Sequence, residues 1–252
     1  MLLAIDAGNT NIVFAVYDGQ EQLEQCRLET TGNIPEVMSD IAQKYPDISD
    51  VIISSVVPKI NDALEKSCTY LLKTDPVFVT HENAGIKIDI DKPEQLGADR
   101  IVGAVAAVNF YQTPAIVVDF GTSTNFDVIN AEGAHCGGVL ATGAKLSLAA
   151  LVSAAEKLSD IAIEQPGKVI GRNTVDAMQS GIYHGYISMV EGMVQKIAAE
   201  MGVKPFVIAT GGLATLFDKG TDVFDVVDPD LLMKGLVRIH EQILQSKSRK
   251  SA

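Results

Sequence analysis

The apolar positions fall into short runs that predict strands and spaced sets that predict helices, and one succession of them occurs twice. Met1 to Ile5 predicts a strand that delivers Asp6 into a turn, and Ile12 to Tyr17 predicts the strand leaving it. Gln22 to Glu29 reads as a third strand. Ile34, Val37, Met38, Ile41 and Ala42 have helical spacing and predict a helix over 34–45. Val51 to Ser55 reads as a buried strand, Lys59 to Leu72 as a helix and Val77 to Val79 as a short strand. This β-β-β-α-β-α order suits a mixed sheet with helices on its faces. A polar stretch over 85–95 then leads into Leu96-Gly97-Ala98-Asp99-Arg100 and an apolar helix, Ile101 to Tyr111, punctuated by Pro114.

The second half repeats the plan. Ala115 to Asp119, Phe126 to Asn130 and His135 to Ala141 predict three strands, and Lys145 to Leu158 a helix. Thr174 to Met201 reads as one long helix, capped by Asn173 and with Asp176 in its first turn. A strand over Phe206 to Ala209, a short helix over Leu213 to Phe217, a strand over Val223 to Val226 and a helix over Pro229 to Gln245 complete it. Residues 247–252 are expected to fray. The boundary falls near Pro114, giving domains 1–114 and 115–252.

Chemistry gathers at the turns. Asp6-Ala7-Gly8-Asn9-Thr10-Asn11 sets an acid, a glycine and short hydrogen-bonding groups between two strands. That set suits a phosphate with its cation. Glycine there permits close backbone approach and φ angles closed to other residues. An ordinary hairpin explains one such tip as readily. A second tip, Asp119-Phe120-Gly121-Thr122-Ser123-Thr124-Asn125, repeats the design, its acid 113 residues after Asp6. Two such tips suggest a duplicated domain with a nucleotide between the halves. Thr210-Gly211-Gly212, after a strand and before a helix, lets backbone approach a ligand. Neither a dinucleotide-binding glycine fingerprint nor a P-loop is present. The adjacent Asp99 and Arg100 read either as a weak surface ion pair or, facing a cleft, as a proton acceptor and a carboxylate clamp.

Composition narrows the classes. With 47% hydrophobic and 21% charged residues over 252 positions, the chain is globular and large enough for two domains. Its net charge of −12, with basic residues grouped only over 247–250, argues against a nucleic-acid partner. No apolar run reaches the roughly 20 residues that span a bilayer, and Met1 opens directly into a strand, so a cytoplasmic protein is expected. The three scattered cysteines fit neither a disulfide framework nor a zinc site.

Six motifs then stand in order: Asp6 to Thr10, Ser55-Val56-Val57-Pro58, Gly97 to Arg100, Asp119 to Thr122, Gly171-Arg172-Asn173-Thr174 and Thr210 to Ala214. Together they resemble type III pantothenate kinase, of the acetate and sugar kinase and actin-like superfamily, from Met1 to about Gln245. The resemblance implies an α/β fold of two ribonuclease-H-like domains and a homodimer with a shared active site. It also implies ATP-dependent phosphorylation of pantothenate to 4'-phosphopantothenate, the first step of coenzyme A synthesis.

By motif position, Asp6, Gly8, Asn9, Thr10, Asn11 and Val13 would hold ATP phosphates, with Asp6 near Mg2+. Gly97, Ala98, Asp99 and Arg100 would bind pantothenate, with Asp99 the general base. Asp119 would bind a monovalent cation, K+ or NH4+, while Gly121 and Thr122 meet a phosphate and Gly211 and Gly212 lie near adenosine. Thr174 would reach pantothenate from the partner subunit. Three positions depart from the family pattern: Ile90 where tyrosine is frequent, Asn125 where threonine is common, and Thr142 in place of a proline. The rival readings are a superfamily kinase or polyphosphate phosphatase with another substrate, and a non-catalytic nucleotide-binding regulator. A regulator tolerates loss of Asp99, whereas a kinase loses most turnover.

Overall fold

The computed structural model describes residues 1–154, 158 and 161–250. Two compact units emerge, Met1–Phe110 with the C-terminal helix, and Tyr111–Pro229. In the first, β1 (Leu2–Ala7), β2 (Asn11–Asp18) and β3 (Glu21–Glu29) form an antiparallel meander. β4 (Asp50–Ser55) and β5 (Val77–Phe78) join in parallel on the other side of β1. The strand order is therefore β3-β2-β1-β4-β5.

The second unit repeats it. β6 (Ala115–Phe120), β7 (Ser123–Ile129) and β8 (His135–Thr142) form the meander, with β9 (Phe206–Gly211) and β10 (Val226–Val227) parallel beside β6. The sequence repeat is thus a repeat of topology, and Asp6 and Asp119 each occupy the fifth residue of a central strand.

Both faces of the first sheet are covered, which explains why β1 is apolar at every position but Asp6 and why β4 carries the unbroken run Val51-Ile52-Ile53 instead of alternating. One face, with Leu3, Ile5, Phe14 and Ile53, packs on α1 (Ile34–Lys44) and α2 (Pro58–Ser67). α2 continues into a π-helical turn over Cys68–Leu72. The other face, with Leu2, Ala4 and Ile52, packs against α3 (Ala98–Phe110) and α7 (Leu231–Lys250). Burying each Leu or Ile of these layers contributes about 1.5–3 kcal/mol. α3 and α7 meet closely: a Cβ on Gly235 would lie 2.2 Å from the Val102 carbonyl oxygen. The second sheet packs Ile116, Val118 and Phe126 on α4 (Ala144–Ala154), α5 (Thr174–Met201) and α6 (Ala214–Asp218).

α5 spans the residues its pattern predicts. Asn173 Oδ1 accepts the Asp176 N–H at 2.9 Å, and Gly202, at φ 69°, closes the far end. Other elements differ from expectation. The last helix packs on the first unit because Met233, Leu236 and Ile239 join the α3 layer, and the first break falls after Phe110. α7 runs on to Lys250 where fraying was expected; positions 251–252 lie outside the described residues. β10 begins at Val226 because Asp225 Oδ2 takes the Val207 N–H at 2.8 Å, ahead of the regular ladder. α4 ends at Ala154, and residues 155–157 of the helix expected there lie outside the described residues.

Candidate active site

The tip between β1 and β2 is held from three sides. The Gly8 N–H donates to the Asn11 carbonyl at 2.9 Å, and the Thr30 N–H donates to the Thr10 carbonyl at 3.0 Å. The Thr30 hydroxyl donates to the Gly8 carbonyl at 2.7 Å. Asn9 and Thr10 are left exposed at the tip. Gly8 does not use a left-handed φ, contrary to the sequence expectation; its role is room, since a Cβ there would sit 3.2 Å from the Asn11 carbonyl oxygen.

Asp6 lies one turn of the pleat below this tip, with Val13 across from it on β2 and Ser54 across on β4. Its Oδ1 is buried and has no hydrogen-bond partner. Burial drives its pKa up to about 6, and the Asp99 carboxylate adds to the rise, while the Ser54 hydroxyl and Arg27 pull it down. An orphaned carboxylate oxygen in this position fits a divalent cation. Mg2+ typically takes one or two carboxylates and completes its shell with phosphate and water. One acid suffices, and among the described residues no three His, Cys, Asp or Glu side chains gather as a metal cage.

Asp99 stands in the first turn of α3, at the positive end of the helix dipole. Its Oδ1 accepts the Arg100 N–H at 2.7 Å. A Cβ at position 97 would come within 2.6 Å of that oxygen and 3.4 Å of Val56, so glycine there leaves the space the carboxylate occupies. The Val56 N–H in turn donates to the Ala7 carbonyl at 3.1 Å, tying this turn to the end of β1. Asp6, Ser54 and Asp99 thus converge at one end of the first unit, with Arg100 beside Asp99. Ile90 packs among the partly buried apolar residues of the α3 layer.

The second tip is built alike. The Gly121 N–H donates to the Ser123 carbonyl at 2.9 Å, and the Gly143 N–H to the Thr122 carbonyl at 3.0 Å. Gly211 has φ 88°, and a Cβ on it would lie 2.4 Å from Asp119 Oδ1, so the Asp119 carboxylate rests against glycine backbone. The ladder neighbours of Asp119 are Asn125 and Thr210. Both are buried, and Asn125 Oδ1 and Thr210 Oγ1 have no hydrogen-bond partner. This oxygen-rich group suits a hard cation. Gly212 faces open space. Thr142 keeps β8 paired with Ser123, and its carbonyl accepts the Tyr186 hydroxyl at 2.7 Å. Thr174 is exposed as the first residue of α5, and its side chain makes no hydrogen bond among the described residues.

The sequence model of the type III pantothenate kinase family matches residues 2–196. The chain belongs to that family. A type III pantothenate kinase from Paramagnetospirillum magneticum is 46% identical, over 96% of this chain and 97% of that protein. One from Rhodospirillum rubrum is 44% identical, over 96% and 98%. Among solved structures, a Campylobacter jejuni protein assigned to the Baf family of transcriptional activators superposes with TM-score 0.62 at 18% identity, covering 96% of this chain and 99% of that one. A Sinorhizobium meliloti protein assigned as a 2-dehydro-3-deoxygalactonokinase superposes with TM-score 0.60 at 11% identity, over 96% and 97%. These structural likenesses show a shared fold.

For a type III pantothenate kinase, the sequence motifs left two neighbours of Asp6 unmarked. Ser54 directly precedes the Ser55-Val56-Val57-Pro58 motif, and that adjacency was its signal. Arg27 carries no local signal: only the registers of β1, β2 and β3 put it in the same row as Asp6, two strands away. Among the described residues, no helix is long and apolar enough to cross a membrane.

Proposed function

We propose that the protein transfers the γ-phosphoryl group of ATP to the primary hydroxyl of pantothenate, opening coenzyme A synthesis in the cytoplasm. The observation that carries this reading is the approach of two acids within one unit. Asp6 has an orphaned oxygen fit for a cation, and Asp99 is close enough to raise its pKa while seated at a helix N-terminus. Phosphoryl transfer demands positioning and charge stabilisation more than a strong nucleophile. Bound Mg2+ would offset phosphate charge, held by Asp6.

The chain's own groups do the rest. On this reading Gly8, Asn9, Thr10, Asn11 and Val13 meet ATP phosphates at the first tip, and motif position alone assigns Gly121 and Thr122 a phosphate contact. Asp99 accepts the hydroxyl proton, Arg100 clamps the pantothenate carboxylate bidentately, and Gly97 and Ala98 shape the turn that holds both. Asp119 holds K+ or NH4+, a role supported by the unpartnered Asn125 and Thr210 oxygens beside it. Motif position likewise assigns Gly211 and Gly212 to the adenosine.

The working form is a homodimer in which Thr174 reaches the pantothenate of the other subunit. Support comes from exposed Leu140, Leu146 and Leu151, and from Gly181 and Gly185, whose Cβ positions have nothing within 4 Å. Sedimentation equilibrium is expected to give twice the chain mass; a monomer at working concentration removes the shared site.

Release of ADP from ATP, Mg2+ and K+, with and without pantothenate, tests the activity. Pantothenate-dependent ADP is expected, and it should vanish when Na+ replaces K+ and NH4+. No stimulation in protein that still binds ATP overturns the pantothenate assignment and makes Ile90 the first residue to examine.

A further inference from the structure

The two sheets share a topology but differ in one row. In the first, Asp6, Val13 and Arg27 are paired across β1, β2 and β3 and point to the same face. In the second, the matching row is Asp119, Asn125 and Leu140. The duplicated positions therefore carry a cation in one unit and an exposed apolar side chain in the other.

Arg27 is exposed on the outermost strand, and its side chain makes no hydrogen bond or ion pair among the described residues. Glu29, two residues along on the same face, does not pair with it. Its charge nonetheless acts on Asp6. Two interstrand spacings, about 10 Å, separate their backbones, a span that an aspartate and an extended arginine on the same face can bridge with one phosphoryl group between them. β3 is fastened at this end, because Thr30 ties it to the Gly8 and Thr10 carbonyls.

We propose that Arg27 engages the γ-phosphate of ATP as a third charged side chain of the phosphoryl-transfer site. The inference rests on the reading of the first tip as the phosphate site. In the reaction, the acceptor hydroxyl oxygen bonds to the γ-phosphorus and its proton passes to the Asp99 carboxylate. The bond from the γ-phosphorus to the β–γ bridging oxygen breaks, its electrons leaving with ADP. Arg27 stabilises the charge on the equatorial oxygens through that exchange, as a planar fork suits.

ATP and ADP affinities with Mg2+, measured by calorimetry for the native protein, Arg27→Met and Arg27→Lys, provide the test. Because ADP lacks the γ-phosphate, Arg27→Met should weaken ATP binding at least tenfold and ADP binding less than twofold, with Arg27→Lys intermediate. The melting temperature should hold, since the side chain is exposed. Equal weakening for both nucleotides, or none for either, overturns the proposal. The comparison needs no acceptor, so a failure of the pantothenate assignment would show separately, in the ADP-release assay of the native protein.

Discussion

Asp99→Asn is expected to lower turnover about 10²–10⁴-fold while ATP affinity stays within about twofold. Asparagine keeps the one contact with a plain structural use, because its Oδ1 still accepts the Arg100 N–H that opens α3. It also keeps the volume that Gly97 leaves free. What it loses is basicity toward the acceptor hydroxyl and a negative charge facing Asp6. The first loss falls on the chemical step. The second relieves repulsion at Asp6, so cation and nucleotide binding should hold or tighten slightly. Calorimetry with ATP and Mg2+ beside steady-state kinetics separates the two. If affinity and turnover fell together, Asp99 would be a structural residue of the turn.

Much of this was legible in the sequence because its signals are local. The Asp-x-Gly tips, the capped helix from Thr174 and the glycine before Asp99 each announce themselves within a few residues, and the structure sets them at strand ends and helix starts. What stayed hidden depends on partners distant in sequence. Arg27 reads as one more polar position on a solvated edge strand until pairing with Val13 puts it in the Asp6 row. α7 has the amphipathic pattern of any terminal helix, and nothing local tells that its apolar face belongs against α3. Gly8 misled differently. Its composition suggested a left-handed φ, while the turn uses only the missing side chain.

Asp6→Asn should make the metal- and nucleotide-free protein more stable at neutral pH while disabling it. The folded chain holds the Asp6 proton up to about pH 6, against a reference pKa of 3.8. Between those values the folded state keeps a proton that the unfolded chain has lost, so the stability Asp6 confers is present below about pH 4 and lost as pH rises through 6. A difference of that size is worth on the order of 3 kcal/mol, at about 2–4 °C of melting temperature per kcal/mol for a chain of this length. Asparagine does not ionise, so its advantage should be absent near pH 4, grow to pH 6 and level off above. The native protein should recover the deficit when Mg2+ and ATP supply the charge that Oδ1 lacks, whereas the variant should gain far less from them. Melting curves from pH 4 to 8, with and without Mg2+ and ATP, decide the matter. A variant less stable at every pH would mean that Asp6 is held by partners its ionised form needs, and the cation role would fall with it.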